Sequence, residues 1–119
     1  RKDITFHVMD AENLPFSDAS FDTIVDSLCL CTYPNPISAL HEMKRVCKRD
    51  GRILLLEHGR TDRELLGRWQ DKMAESHAKL LGCYWNRNPI NLARNAGLKI
   101  TNTERKFLGT IYIIHAEPQ

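Results

Sequence analysis

Long apolar runs, a large surplus of one charge and C-x-x-C cysteine pairs are all missing from this sequence of 119 residues. The longest uncharged stretch, from Ser27 to Leu40, is interrupted by Pro34, Asn35 and Pro36. It cannot form a membrane-spanning helix. Seventeen lysines and arginines against fifteen acids leave a net charge of +2, which neither demands nor excludes a nucleic-acid partner. The cysteines, Cys29, Cys31, Cys47 and Cys83, make no C-x-x-C pair and sit in apolar or helical contexts. They read as small buried thiols of a reducing, intracellular compartment. His7, His41, His77 and His115 show no ligand spacing with one another or with the cysteines, so spacing predicts no metal. No repeat, linker or low-complexity tract is present, and Arg1-Lys2-Asp3 opens the chain without a leader-like apolar segment. What remains is 42% hydrophobic and 27% charged residues, a globular composition of one-domain size.

Strand-like and helix-like pieces alternate, which predicts an α/β fold. Ile4, Phe6 and Val8 alternate with Thr5 and His7, so a short strand is expected from Ile4 to Met9. A loop follows, punctuated by Asn13, Pro15, Ser17 and Asp18. Phe21 to Leu30 holds a near-continuous apolar run, the pattern of a strand covered on both faces. Asn35 and Pro36 predict a helix N-terminus, and Asp50-Gly51 predicts the turn that ends this helix. Arg52 to Glu57 is a second buried strand, which completes a βαβ unit with parallel strands. Asp62 to Leu81 reads as a longer helix with a core stripe of Leu65, Leu66, Trp69 and Met73. A short helix from Asn88 or Pro89 to Asn95 and a closing antiparallel hairpin, Leu98 to Phe107 with Gly109 to Ala116, finish the pattern.

In open α/β sheets, ligands bind beyond the carboxyl ends of the strands. That rule selects Asp10, Ala11 and Glu12 after the first strand, Asp26, Ser27, Leu28 and Cys29 after the second, and Glu57, His58 and Gly59 after the third. Three polar clusters at neighbouring strand ends can line one cleft. The basic run Lys44, Arg45, Lys48, Arg49 and Arg52 lies where a helix C-terminus favours cations, and it reads as a solvated helix end rather than an RNA contact.

The segment Asp10-Ala11-Glu12-Asn13-Leu14-Pro15-Phe16, then Ser20-Phe21-Asp22, the helix Ala39-Leu40-His41-Glu42-Met43-Lys44-Arg45-Val46 and the strand start Asp50-Gly51-Arg52-Ile53 follow one another in a known order. The sequence resembles the class I S-adenosylmethionine-dependent methyltransferases of the small-molecule type. Glu57-His58-Gly59 and Gly82-Cys83-Tyr84-Trp85-Asn86-Arg87 are similar to the methyltransferase-like 7 group and its fungal mitochondrial inner-membrane relatives. One departure is plain. The family's glycine-rich turn is absent, because no G-x-G occurs in the sequence. The resemblance therefore implies the C-terminal part of a Rossmann-like domain, starting at the family's third strand. The strand Ile4 to Met9 would lack its usual neighbours, and its unpaired edge is expected to seek a second copy.

The resemblance implies S-adenosyl-L-methionine as cofactor. It places Asp10 on the adenine amino group and Ala11 against the ring edge, with Glu12 beside them. Ser27, Leu28 and Cys29 would pass beneath the methionine moiety. Asp26, Tyr33, Glu57, Trp85 and Asn86 would line the pocket of a small-molecule or lipid-like acceptor. His58 is the candidate base for an acceptor that must lose a proton. A mitochondrial location is also implied. The competing expectation is a non-catalytic methyltransferase-like scaffold or assembly factor, for example on a mitochondrial ribonucleoprotein.

Overall fold

The computed structural model describes residues 3–118. β1 (Phe21–Ser27) leads through α1 (Pro36–Val46) to β2 (Cys47–His58), and these strands pair in parallel. α2 (Glu64–Leu81) and α3 (Pro89–Asn95) follow, and then the hairpin β3 (Lys99–Lys106) and β4 (Ile111–Glu117). The sheet order is β1-β2-β4-β3, with β4 antiparallel to both of its neighbours. The expected βαβ unit and terminal hairpin are therefore both present.

Local chemistry accounts for the boundaries. The Asn35 side chain accepts a hydrogen bond from the Ser38 N–H at 3.1 Å, and Pro36 occupies the first turn of α1. The Asn88 side chain does the same for Ile90 and Asn91 at the start of α3. Gly82 ends α2 in the left-handed conformation, at φ 71°. In contrast, Asp50-Gly51 does not end α1. The helix stops at Val46, and β2 begins at once with an irregularity opposite Phe21 and Thr23. Gly51 lies within this irregular stretch, where a Cβ would stand 2.6 Å from the Asp22 carbonyl oxygen.

Further expectations are corrected. Residues 4–9 form no strand. Alternation supplies a face but no hydrogen-bond partner, and Phe6 is 91% exposed. The edges of the sheet are β1 and β3, so the segment expected to seek a second copy is not a strand edge here. β1 itself is not covered on both faces. Asp26 is buried and Ile24 half-buried, whereas Val25 is 65% exposed. Finally, the α2 stripe is not core: Leu65 is 80% and Trp69 49% exposed, and the helix buries Gly67, Gln70 and Ala74 instead. A Cβ at Gly67 would meet the Arg60 guanidinium at 2.7 Å.

The core lies on one face of the sheet. Ile53, Leu55, Tyr112, Ile114 and Ala116 from β2 and β4 pack with Leu40 and Met43 of α1 and with Ala93 of α3. The other face presents Val25, Leu54, Leu56 and Ile113 around an apolar depression. Arg45 has a role that its place in a basic run hides. Its guanidinium donates to the carbonyls of Leu14 and Phe16, to Asp18 and to Glu42, and so ties the loop before β1 to α1.

Candidate functional site

Three segments meet beyond the carboxyl ends of β1 and β2: the loop 28–33, residues 57–59, and residues 82–87 after α2. Leu28 turns the chain off β1 in the left-handed region, at φ 57°, and its N–H donates to the Leu56 carbonyl at 2.7 Å. The Arg87 guanidinium donates to the Leu30 and Tyr33 carbonyls, both at 2.7 Å, and Tyr84 N–H donates to the Cys31 carbonyl at 2.7 Å. The turn after β1 is thus held from above by the segment after α2.

Glu57 holds the same turn from below. It is fully buried, and its Oε1 accepts from the Cys29 and Leu30 N–H groups, each at 3.0 Å. Asp26 Oδ1 accepts from the Tyr33 hydroxyl at 2.9 Å. The remaining oxygens, Glu57 Oε2 and Asp26 Oδ2, are buried without a donor. A proton held on the Glu57 carboxyl would give its Oε2 a hydrogen to donate, with Asp26 Oδ2 free to accept. Burial first, and then the negative field of Asp26, push the Glu57 carboxyl up to about 8. Burial and Asp26 also raise the Cys29 thiol, so it is not an activated nucleophile, and they raise the Tyr33 phenol well above its ordinary value.

His58 ends β2, and its Nε2 lies 3.2 Å from Cys31 Sγ and 3.5 Å from Cys83 Sγ. Burial, with a smaller contribution from His77, lowers its pKa, so the ring is neutral near pH 7. The same residue lines a cavity of about 370 Å³ with Leu66, Trp69, Gln70, Trp85 and Ile111. Trp85 is fixed there by its Nε1–H bond to the Gln70 carbonyl at 2.9 Å and by stacking on His77 at 4.0 Å. Gln70 in turn donates to the Gly59 and Trp85 carbonyls. Asn86 faces elsewhere, donating to Asp71 on α2.

Asp10 and Ala11 lie in a turn bridged from Asp10 to Asn13, in which Asp10 Oδ1 accepts from Glu12 N–H at 2.9 Å. Asp10 is exposed, and its hydrogen bond stays within that turn. Glu12 connects the turn to the rest, because its Oε2 accepts from Asn35 N–H at 3.3 Å, just past Tyr33. The Cys29 thiol bonds to the Ser27 carbonyl. The structure therefore joins Asp26, Ser27, Cys29, Tyr33 and Glu57 in one cluster, puts His58 and Trp85 in a second, and links Asp10 to Glu12 at a third position. Cys31, Cys83, Gln70 and Arg87 were not expected at the site. Each is far in sequence from its partner there, and a residue pattern read along the chain carries no signal for such contacts.

A family model described as "Methyltransferase domain" matches residues 1–55. The mitochondrial methyltransferase OMS1 of Saccharomyces cerevisiae is 34% identical over 106 residues, which is 89% of this chain and 22% of OMS1. Residues 1–55 thus match the methyltransferase domain family, and the fold is that of S-adenosylmethionine-dependent methyltransferases. A second relative, the ubiquinone/menaquinone biosynthesis C-methyltransferase UbiE of Rhizobium leguminosarum, is 43% identical over 68 residues, 57% of this chain and 26% of UbiE. The crystal structure of an S-adenosylmethionine-dependent methyltransferase from Methanosarcina mazei superposes with a TM-score of 0.70 at 24% identity, covering 94% of this chain and 66% of that one. The chain described here thus spans about a quarter of the curated relatives it matches.

Proposed function

We propose that this chain supplies the acceptor side and the adenine edge of a methyl-transfer cleft, within a protein that moves a methyl group from S-adenosylmethionine to a small, ring-bearing or lipid-like acceptor. One observation carries the reading. Residues 26–29 and 57–58 lie at the carboxyl ends of the parallel pair, and Glu12–Asn35, Tyr33–Asp26 and Glu57–Cys29 hydrogen bonds connect them with the turn at 10–12. Sites in open α/β sheets form at that place.

The residues present fit one side of the cofactor. An exposed carboxylate beside a residue with no side chain beyond Cβ suits an amino-purine edge, and Asp10-Ala11 is such a pair. The turn from Ser27 to Cys29, pinned by Glu57, is the surface against which the reacting end would rest. The cofactor's sulfonium supplies the electrophilic methyl. This chain positions the acceptor, which is the larger part of catalysing an in-line displacement. The Trp69–Trp85 cavity supports an apolar acceptor, and the quinone named for the UbiE relative supports a ring-bearing one. Since His58 directs its Nε2 at two thiols, we assign it to the cavity wall rather than to proton transfer. The name of the OMS1 relative supports a mitochondrial location.

The test uses the full-length protein with labelled S-adenosylmethionine and a panel of quinols, phospholipids, RNA and protein. Label is expected in a small or lipid-like acceptor. Label confined to RNA or protein, or transferred to nothing in the panel, contradicts the reading. Asp10→Ala is expected to weaken cofactor binding by about 1–3 kcal/mol, the cost of a lost hydrogen bond to a charged group. Calorimetry checks this, and an unchanged affinity removes Asp10 from the site.

A further inference from the structure

Cys31, His58 and Cys83 are brought together from three separate parts of the fold. Cys31 sits in the turn after β1, His58 at the end of β2, and Cys83 immediately after the Gly82 cap of α2. Their ligand atoms all lie within 4.8 Å of one another. Both thiols are buried, and His58 is half-buried. None of the three is held in place only by contact with the others. Tyr84 N–H on the Cys31 carbonyl, Arg87 on the carbonyls either side of Cys31, and His77 Nδ1 on the Cys83 carbonyl at 2.8 Å position the backbones independently.

The geometry suits a tetrahedral ion. Zinc bonds thiolate sulfur at about 2.3 Å and imidazole nitrogen at about 2.0–2.1 Å, which sets sulfur–nitrogen edges of about 3.6 Å in a tetrahedron. The edges here, 3.2 and 3.5 Å, need adjustments of a few tenths of an ångström or less. The donor set is soft. Two sulfurs and an imidazole exclude the oxygen-seeking calcium and magnesium and select zinc or copper(I). Charge decides between those two. Two thiolates carry a charge of −2, which a divalent ion cancels and a monovalent ion does not. An uncompensated negative charge beside the buried Glu57–Asp26 pair would be costly.

We propose that Cys31, His58 and Cys83 bind one zinc ion, with water at the fourth position. Both thiol protons leave to solvent when the ion enters. His58 Nε2 then has no lone pair left for proton transfer. The ion would also clamp the turn after β1 to the segment after α2, in parallel with Arg87, and so stiffen the wall between the Glu57 cluster and the Trp85 cavity. This assignment is independent of the methyl-transfer reading, and its test needs no turnover.

Full-length protein, reduced and stripped with chelator, is titrated with zinc against a chromophoric competitor and, separately, with cobalt(II). One zinc per chain assignable to this trio is expected. Cobalt should give thiolate-to-metal charge-transfer bands and the intense visible bands of a tetrahedral site. Cys31→Ser and Cys83→Ser should each weaken zinc binding by more than about 100-fold, the upper range for loss of a mere outer-shell partner. Cys47→Ser, remote from the trio, should not. If the serine variants fail to fold, the wild type still decides: zinc should protect Cys31 and Cys83, but not Cys29, from alkylation mapped by mass spectrometry. Absence of zinc uptake by the reduced protein, cobalt spectra without thiolate bands, or equal alkylation with and without zinc overturns the proposal, and so does full affinity in both serine variants.

Discussion

Glu57→Gln is expected to be more stable than the wild type at pH 8, to match it closely near pH 4.5, and to lose less stability as pH rises between them. Burial and the field of Asp26 raise the Glu57 pKa to about 8, from the ordinary 4.5 that the unfolded chain recovers. Between those values the folded protein keeps a proton that the unfolded chain has released. Stability therefore falls as pH rises, at about 1.4 kcal/mol per pH unit for one proton, and levels off above pH 8. Glutamine has no charge to acquire. Its carbonyl can still accept from Cys29 and Leu30, and its amide can donate to Asp26 Oδ2, the oxygen left without a donor when Glu57 ionises. The gain at pH 8 should be roughly 4 kcal/mol. Comparing the two proteins isolates Glu57 from His58 and Cys83, which titrate alike in both. The measurement is urea denaturation from pH 4.5 to 9 in the presence of chelator. Parallel pH curves for the two proteins would show that Glu57 and Asp26 do not share a proton.

Gly59→Ala should be the most damaging small substitution in the chain, costing about 3 kcal/mol or more. Gly59 lies where β2 ends and residues 87–89 cross over it. A Cβ there would strike the Arg87 carbonyl oxygen and stand 2.7 Å from Pro89 Cδ. Neither neighbour can yield easily, because the Arg87 carbonyl accepts from Arg60 N–H at 2.9 Å and Gly59 N–H is itself bonded to the Thr110 carbonyl at 2.8 Å. Moving Arg87 would also loosen its hold on Leu30 and Tyr33, so the site should suffer along with stability. Gly82→Ala is the internal comparison. No atom lies near its Cβ position, and only the left-handed backbone at φ 71° resists the change, for about 1 kcal/mol. Equal losses in the two variants, measured by urea denaturation, would mean that crowding at Gly59 is not the cause.

The parts of the fold legible in the sequence are those fixed by local chemistry. Asn35-Pro36 and Asn88-Pro89 start helices because their side chains and rings satisfy or remove terminal N–H groups, whatever lies further away. Residues 4–9 alternate as a strand does, but strand formation depends on a partner that alternation cannot supply. The run through β1 is as apolar as a doubly covered strand, yet Val25 faces outward, because covering a face depends on what lies above it. On α2 the large residues mark the most hydrophobic stripe, and the helix instead docks through Gly67, Gln70 and Ala74, where close approach to Arg60 and the hydrogen bonds of Gln70 decide the orientation. The strand-end rule found Asp26, Glu57 and His58 because all three sit at ends of locally readable strands. It missed Cys31 and Cys83, which reach His58 only through the crossing of residues 82–87 over the turn after β1.

A crystal structure of the full-length protein with S-adenosylhomocysteine tests the central claim most directly, since it places cofactor and cavity on one set of coordinates. Adenine against Asp10-Ala11, the homocysteine sulfur over the turn from Ser27 to Cys29, and the Trp69–Trp85 cavity opening toward that sulfur is the predicted arrangement. A cofactor bound away from Asp10, with the cavity at His58 facing an unrelated surface, would contradict it.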